Sequence, residues 1–344
     1  MIRIGVIGYG YWGPNLVRNF GEVQGCQVVA VSDTRPDRQA AVQSRYPAIA
    51  VTSDYRQILA DPSIDAVAIA TPVSTHFPLA LEALCAGKHV WVEKPMTATS
   101  DEAARLIDEA DRRRRVLHVD HTFLYTGAVR KIHELVTADA IGRVYYYDSV
   151  RVNLGLFQRD VNVIWDLAVH DLSIMDHIMP EQPCAISATG SGHVSGSPEN
   201  IAYLTMFFEG STIGHVHVSW LAPVKVRRTL VGGSRKMIVY DDLETSEKVR
   251  VYDKGLRLGD ENDVRYQMLV GYRMGDMWAP HVEVTEALQT EAAHFVDCID
   301  HQRRSHSDGE AGLRVVRILE AASRSMAARG RAIELDLPKV KATA

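Results

Sequence analysis

The first thirteen residues place the strongest constraint on the fold of this chain. Residues 2–7 form a short apolar run typical of a buried strand, and the segment Gly8-Tyr9-Gly10-Tyr11-Trp12-Gly13 follows at once. A second apolar run, 28–31, leads to Asp33, which lies twenty residues beyond Gly13. A glycine-rich turn between a strand and a helix, with an acid at this distance, is typical of a βαβ unit that binds a dinucleotide.

The glycines of this turn have separate physical roles in such a unit. Gly8 permits the tight turn, Gly10 lets the backbone approach a pyrophosphate, and Gly13 lets the helix pack closely on the strand. The unpaired N–H groups at the helix N-terminus favour phosphate. Pro14 fits the first helical turn, where its missing N–H would have no partner. For the motif taken alone, an ordinary strand–turn–helix without a ligand is the alternative.

Asp33 predicts which cofactor binds. A carboxylate at this position accepts hydrogen bonds from the ribose hydroxyls and repels a 2′-phosphate, which favours NAD. Arg35 and Arg38 lie close in sequence and could partly offset this preference for NADP. We therefore expect NAD, with NADP as the alternative, and we count Thr34 and Arg35 among the cofactor-binding residues.

The first third of the chain alternates between short apolar runs and helical patterns. The runs predict strands at 3–7, 27–32, 66–70, 89–92 and 116–119, and the patterns between them predict helices at 15–20, 38–45, 55–59, 78–86 and 101–110. Ser100 is the expected N-cap of the last of these helices. Such alternation indicates a doubly wound parallel sheet, with its ligand at the carboxyl ends of the strands.

From Val144 the pattern changes, because strands follow one another without helices between them. They are expected at 144–152, 185–190, 202–208, 212–220, 226–232, 236–240 and 248–252. Along 212–220 the residues alternate, with Val216, Val218 and Trp220 on one face and His215 and His217 on the other. Consecutive strands favour a mostly antiparallel sheet with helices on one face. Two long helices follow, about 284–300 and 309–328, the second opening with a capping box at 307–310.

These patterns predict an α/β fold in two parts. The first is an N-terminal Rossmann domain, residues 1–122, with a doubly wound parallel sheet. The second is a C-terminal α+β domain, residues 123–344, with a large and mostly antiparallel sheet that serves substrate binding and oligomerisation. The last helix, about 309–328, is the element that could pack back on the Rossmann domain.

Composition excludes several classes of protein. The chain has 344 residues, a net charge of -5 and four cysteines without a C-x-x-C pair, so we expect no nucleic-acid partner, no metal centre and no disulfide framework. No apolar run is long enough to cross a bilayer, and a core strand at residue 2 leaves no room for a signal peptide, so we expect a cytoplasmic protein. The run Arg112–Arg115 is interpreted as a solvated helix end, with a phosphate- or polymer-binding patch as the alternative.

Two further groups of residues point to catalysis. Glu93-Lys94-Pro95 directly follows a predicted strand, so Lys94 stands at the sheet edge where ligands bind. Asp166 and His170 lie in an apolar helical stretch, 164–179, at a spacing that places them on one face. A lysine or a histidine can take the proton of a hydroxyl while hydride leaves. For each group taken alone, a surface lysine or a self-satisfied helix pair is the alternative.

In these motifs and two others, the chain resembles the Gfo/Idh/MocA family of NAD(P)-dependent sugar and inositol oxidoreductases over nearly its full length. The resemblance rests on the glycine motif, on Ala70-Thr71-Pro72 with Thr75-His76, on Glu93-Lys94-Pro95, and on Asp166 through His170. It implies that Lys94 and His170 share proton transfer and that Asp166 orients the sugar and the histidine. It also implies a homodimer or homotetramer through the C-terminal sheet. The residues implied at the nicotinamide end of the cofactor are Thr71, Pro72, His76, Glu93 and Lys94, and Tyr11 and Trp12 are counted with the glycines as cofactor-binding.

Segments 121–125 and 151–160 resemble the branch found with sugar-nucleotide and polysaccharide biosynthesis, where a hexose hydroxyl is oxidised, often at C3. Thr122 departs from an arginine that many other relatives carry there. We expect oxidation of a ring hydroxyl of a nucleotide- or phosphate-linked hexose, with Tyr125, Arg151, Asn153, Gln158, Asn162, Asp166 and His170 facing the substrate. For Gln158 a plain surface loop is the alternative. The alternatives for the whole protein are a ketosugar reductase working in the opposite direction and a non-catalytic regulator that senses the dinucleotide.

Overall fold

A computed structural model describes residues 1–155, 161–258 and 270–337 of the chain. Its contacts divide the chain into two compact units. The first comprises Met1–Thr126 and Thr285–Arg317, and the second comprises Gly127–Val284 and Ile318–Ala344. The boundary at 122/123 stays a prediction of the sequence, and Gln158 lies outside the described residues.

Six parallel strands form the sheet of the first unit. They are β1 (Ile2–Ile7), β2 (Cys26–Ser32), β3 (Ala50–Thr52), β4 (Ala66–Ile69), β5 (His89–Glu93) and β6 (Leu117–Asp120). Their order is β3-β2-β1-β4-β5-β6, so the connections reverse direction between β1 and β4. This is the doubly wound arrangement that places a ligand at the point of reversal, and it confirms the predicted parallel sheet. Strand β3 was not predicted, because three residues are too few to show a pattern.

Helices connect these strands and cover both faces of the sheet. They are α1 (Gly13–Glu22), α2 (Pro36–Arg45), α3 (Tyr55–Ala60), α4 (His76–Cys85) and α5 (Ser100–Arg113). Along β4, Ala66 and Ala68 belong to one hydrophobic cluster while Val67 and Ile69 belong to another. Because neighbouring residues of a strand point to opposite faces, the two clusters lie on opposite sides of the sheet.

The predicted N-cap of α5 was one residue out of place. The helix begins at Ser100, and the side chain of Thr99 accepts a hydrogen bond from the N–H of Glu102 at 3.3 Å. Both residues can cap a helix, and sequence spacing alone does not separate adjacent candidates.

The second unit contains a nine-stranded sheet that is mostly antiparallel, as predicted. Its strands are β7 (Val144–Leu154), β8 (Ala185–Ser191), β9 (Ile201–Phe207), β10 (Ile213–Ser219), β11 (Leu221–Gly233), β12 (Met237–Asp241), β13 (Val249–Tyr252), β16 (Met277–Trp278) and β17 (Ile333–Glu334), and β14 (Gly255–Leu258) and β15 (Val270–Arg273) form a separate pair. The order in the large sheet is β16-β13-β12-β11-β7-β10-β9-β8-β17, and β7 and β10 form a parallel pair within it. Val216, Val218 and Trp220 are buried on one face, while His217 on the other face stacks on Tyr203 with ring centroids 4.4 Å apart.

The remaining helices are α6 (Gly127–Thr137), α7 (Val169–Ile178), α8 (Ala287–Asp300) and α9 (Gly309–Ala327). The capping box predicted for α9 is replaced by a different arrangement. Asp308 accepts the N–H of Ala311 at 3.0 Å, while the hydroxyl of Ser307 donates to the carbonyl of Val119. No helix among the described residues combines the length and the apolar character needed to span a bilayer.

Candidate functional site

The six parallel strands of the first unit end at one edge of the sheet, and this edge gathers most of the residues predicted to bind the cofactor. Ile7 of β1 pairs with Ser32 of β2 and with Ile69 of β4. At the far side Glu93 of β5 pairs with Asp120 of β6. The glycine turn, Asp33, the segment from Thr71 and the segment from Lys94 all begin where these strands stop. The predicted cofactor residues are therefore brought together in this unit.

The geometry of the glycine turn fits a bound pyrophosphate. A Cβ atom added to Gly8 would lie 2.5 Å from the carbonyl oxygen of Ala70, and one added to Gly13 would lie 2.3 Å from that of Gly8. Both positions therefore exclude a side chain. A Cβ on Gly10 would meet only the tip of Arg35, at 3.8 Å. The backbone at Gly10 thus borders open space, into which a diphosphate can approach closely.

Asp33 is held as a carboxylate at the end of β2. Its Oδ2 accepts the N–H of Tyr9 at 2.7 Å, and its Oδ1 accepts the N–H of Arg35 at 2.9 Å. Burial alone would raise the pKa of Asp33, but these hydrogen bonds and the Arg35 guanidinium outweigh it and hold the pKa below its usual value. An ionised carboxylate here accepts ribose hydroxyls and repels a 2′-phosphate. Thr34 and Arg35 follow it and are exposed.

The glycine turn is tied to the other end of the same edge. The indole Nε1 of Trp12 donates to Oδ2 of Asp120 at 2.9 Å. Tyr11, beside it, is 89% exposed. The Trp12–Asp120 hydrogen bond therefore fixes the glycine turn to the end of β6, a link that the sequence does not reveal because 108 residues separate the partners.

His76 joins two loops that were predicted to border the nicotinamide. Its Nδ1 lies 2.9 Å from the carbonyl oxygen of Pro95 and its Nε2 lies 2.8 Å from that of Thr71. The ring is 1% exposed, and burial lowers the pKa of His76. The Lys94–Pro95 bond between these loops is cis. His76 thus holds the segments that begin at Thr71 and Lys94 in a fixed relation.

A cluster of buried carboxyl groups lies next to Lys94. Asp120 hydrogen-bonds to both Glu93 and Glu291, and it accepts the hydroxyl of Thr122 at 2.5 Å. Glu291 also lies 3.1 Å from Nε2 of His118. Within the described residues no group of His, Cys, Asp and Glu side chains is arranged to hold a metal ion.

The electrostatics of this cluster follow from burial. Desolvation is the largest cause that raises the pKa of both Glu93 and Glu291 well above the usual value, and the negative charge of Asp120 is the next. The positive charge of Lys94 partly opposes this rise for Glu93. Burial lowers the pKa of His118 well below its usual value. Since like charges in contact disfavour joint ionisation, burial beside Asp120 favours the neutral form of both glutamic acids. Their neutral forms can share protons with Asp120, which binds Trp12.

In the second unit, Asp166 and His170 lie on the predicted helix, but its start is irregular. Residues Ile164–Ala168 form a π-helical turn, and α7 follows directly. In a π-turn the hydrogen bonds join residues five apart, so a spacing of four does not by itself place one side chain above the other. Asp166 accepts a hydrogen bond from Nε1 of the buried Trp220 at 3.0 Å.

Arg151 was predicted to face the substrate, and in the structure its side chain pairs with Asp171. The guanidinium binds Asp171 with Nε at 2.6 Å from Oδ2 and Nη2 at 3.2 Å from Oδ1. Both side chains are buried, at 4% and 2% exposure. Ser149 donates to the same carboxylate at 2.7 Å. Arg151 thus anchors the first turn of α7 to β7 through Asp171, the residue that follows His170 in the chain.

Two more of the predicted substrate residues have structural partners. Oδ1 of Asn162 accepts the N–H groups of Ile164 and Trp165 at 3.2 and 3.3 Å, so Asn162 caps the π-turn. Tyr125 is 5% exposed, and its hydroxyl lies 3.4 Å from Oγ of Ser305 inside the first unit. Both side chains thus have partners within their own unit, and their roles at the substrate stay predictions.

Asn153 is half-buried near the end of β7, and its role stays a prediction. The same holds for the meeting of Lys94, from the first unit, with Asp166 and His170, from the second. Trp220, Asp171, Asp120 and Glu291 are residues that the sequence reasoning missed, since no local pattern marks long-range partners.

Comparison with known proteins agrees with this arrangement. Residues 2–121 match the model of the Gfo/Idh/MocA oxidoreductase family, NAD-binding Rossmann fold, and residues 129–239 match the Gfo/Idh/MocA C-terminal domain. A crystal structure of an oxidoreductase from Magnetospirillum magnetotacticum is 30% identical, with a TM-score of 0.77, and the match covers 93% of this chain and 99% of that one.

Two characterised relatives act on sugars or polyols. UDP-N-acetylglucosamine 3-dehydrogenase from Acidithiobacillus ferrooxidans is 28% identical over 92% of this chain and 94% of its own length. A crystal structure of that enzyme has a TM-score of 0.80 at 25% identity, covering 95% of this chain and 98% of that one. Myo-inositol 2-dehydrogenase from Thermotoga maritima is 25% identical over 74% of this chain and 80% of its own length.

Proposed function

Because this chain belongs to the Gfo/Idh/MocA family of NAD-binding oxidoreductases, we propose that it oxidises a ring hydroxyl of a hexose, at C3 of a nucleotide-linked sugar. The observation that carries the proposal is the full-length similarity to UDP-N-acetylglucosamine 3-dehydrogenase. It is joined by the presence of Lys94, Asp166 and His170 together in one sequence. A protein that only sensed the dinucleotide would have no use for these three groups.

The first unit supplies the residues that bind NAD in this proposal. The glycine turn and the N-terminus of α1 take the pyrophosphate, and Asp33 takes the hydroxyls of the adenosine ribose. Thr71, Pro72, Glu93 and Lys94 border the nicotinamide end. His76 and the Trp12–Asp120 hydrogen bond hold these loops in place. Hydride acceptance is the chemistry that the nicotinamide supplies when bound.

Proton removal falls to the residues of the chain itself. The hydroxyl proton must leave as the hydride departs, and a positioned lysine or histidine contributes about 10²–10⁴-fold to such a step. Lys94 and His170 share this role in our proposal. Asp166, fixed by the indole of Trp220, orients the sugar and the histidine. Lys94 and His170 lie on segments that are held in place by contacts within their own units. Such anchoring suits a site that must keep its geometry.

Assembly belongs to the same proposal. The face of the large sheet that carries His217 also carries the exposed aromatic and apolar side chains of Tyr203, Phe207 and Ile213. Such a face is suited to pairing with a second copy. We therefore propose a homodimer or homotetramer formed through the C-terminal sheet.

A substrate panel tests the proposed reaction. Purified protein is mixed with NAD and, in turn, with UDP-N-acetylglucosamine, other sugar nucleotides, sugar phosphates and inositols, and the reduced nicotinamide band is followed. We expect turnover on a sugar nucleotide, and loss of that turnover in Lys94→Ala. Turnover on an inositol alone would move the substrate to the class of the second relative. NAD binding without turnover on any compound would favour the regulator.

A further inference from the structure

A surface cleft of about 570 Å³ lies in the first unit, at the sheet edge opposite to the glycine turn. His89 and Leu117 line it, and they are the first residues of β5 and β6. The last residues of those strands, Glu93 and Asp120, lie at the cofactor edge. Since a five-residue strand spans about 15 Å, the cleft is separate from the NAD site.

The lining of this cleft is rich in arginine from two distant segments. Arg113, Arg114 and Arg115 come from the end of α5, and Arg303 and Arg304 come from the loop between α8 and α9. Three acids, Asp111, Asp308 and Glu310, also contribute to the lining. The lining therefore holds five guanidinium groups and three carboxylates.

Acidic side chains pair with some of these five arginines but not with all of them. Arg113 and Arg303 pair with Glu109 and Asp297, which lie outside the lining. Arg304 lies 4.0 Å from Asp111 and 3.8 Å from Asp308, at the limit of an ion pair. Within the part of the chain that the structure describes, no acid forms an ion pair with Arg114 or Arg115.

A second observation places two hydrogen-bond donors face to face in the cleft. The backbone N–H of Val116 donates to Nδ1 of His89 at 3.0 Å, so this nitrogen accepts. Burial and the Arg115 guanidinium lower the pKa of His89 to about 4, so the ring is neutral at pH 7 and carries its proton on Nε2. Nη1 of Arg115, which can only donate, lies 3.3 Å from that nitrogen. An oxygen atom of an anion placed beside both nitrogens would accept from each.

We propose that this cleft is a second binding site, which takes a small molecule that bears a diphosphate group. The forked donors of arginine match the oxygens of phosphate. Guanidinium groups from two segments can bind two phosphoryl groups at once, and the volume is in the range of small-molecule sites. Ser305 joins the lining to the first unit's core through its hydrogen bond of 2.8 Å with Nδ1 of His118.

Titration calorimetry with inorganic pyrophosphate tests this site. The protein is first saturated with NAD, so that the pyrophosphate pocket at the glycine turn is filled. We expect binding that weakens as salt is added, because the attraction is electrostatic. We expect Arg304→Gln and Arg115→Gln each to weaken binding by about tenfold, the worth of a hydrogen bond to a charged group.

Arg112→Gln is the matched control, because it removes the same charge from the same helix end but Arg112 does not line the cleft. It should bind pyrophosphate within about twofold of the unchanged protein. Arg304 is 53% exposed, so its substitution leaves the fold intact and decides the result if Arg115→Gln does not fold. Absence of binding to the NAD-saturated protein, or equal affinity in the cleft variants and the control, would overturn the proposal.

Discussion

Substituting Arg151 by Met distinguishes a structural anchor from a substrate contact. The guanidinium and the Asp171 carboxylate form two hydrogen bonds, at 2.6 and 3.2 Å, with both side chains almost fully buried. Removing one member of such a pair leaves a buried charge uncompensated and costs about 3–5 kcal/mol. We therefore expect the free energy of unfolding to fall by that amount in Arg151→Met.

Urea unfolding followed by circular dichroism measures this loss. The double variant Arg151→Met/Asp171→Leu removes both charges and should recover a large part of the stability, since apolar replacements of a buried ion pair are often neutral. Arg228→Met, on the neighbouring strand, is the matched control because Arg228 is exposed and its removal should change stability by no more than about 0.5 kcal/mol. A stability of Arg151→Met equal to that of the control, with the loss appearing in KM, would refute the anchor and return Arg151 to the substrate.

Three other predictions concern the site in the first unit. Lys94→Ala should lower kcat by about 10²-fold or more with NAD affinity little changed, since it removes a proton-transfer group; steady-state rates near those of the unchanged protein would remove Lys94 from the mechanism. Asp33→Ala should shift the ratio of kcat/KM values towards NADP, because the carboxylate that repels a 2′-phosphate is gone; an unchanged ratio would mean that another group reads the ribose. For Glu291, burial and Asp120 raise the folded-state pKa, so its contribution to stability is complete below about pH 4 and is lost as the pH rises through the raised pKa. Glu291→Gln should therefore flatten the fall of Tm between pH 5 and pH 9, and parallel Tm profiles would contradict the buried neutral acid.

Local sequence patterns predicted the architecture because they record burial. The short apolar runs of the first unit became strands covered on both faces, and the alternation along β10 placed Val216 and Val218 inside. The glycine turn was predictable because its glycines are required by the local backbone conformation. Asp33 was predictable because its position is defined by its distance from that turn. Such features are local, so one sequence is enough to find them.

Sequence patterns could predict a site residue only where its role follows from its place in a local motif. Arg151 has the chemistry of a substrate-binding residue, but its partner, Asp171, is twenty residues away and on another element. Asp120 gave no signal, although it links Trp12, Glu93 and Glu291 from three parts of the chain. Pairings of this kind are set by the folded sheet and not by spacing.

Isotope transfer tests the central claim most directly. UDP-N-acetylglucosamine with deuterium at C3 is incubated with the protein and NAD, and the reduced cofactor is analysed by mass spectrometry. Our account predicts that the deuterium appears in the nicotinamide ring of NADH. NADH formed without deuterium would place the oxidation at another carbon, and no NADH from any hexose derivative would contradict the dehydrogenase itself.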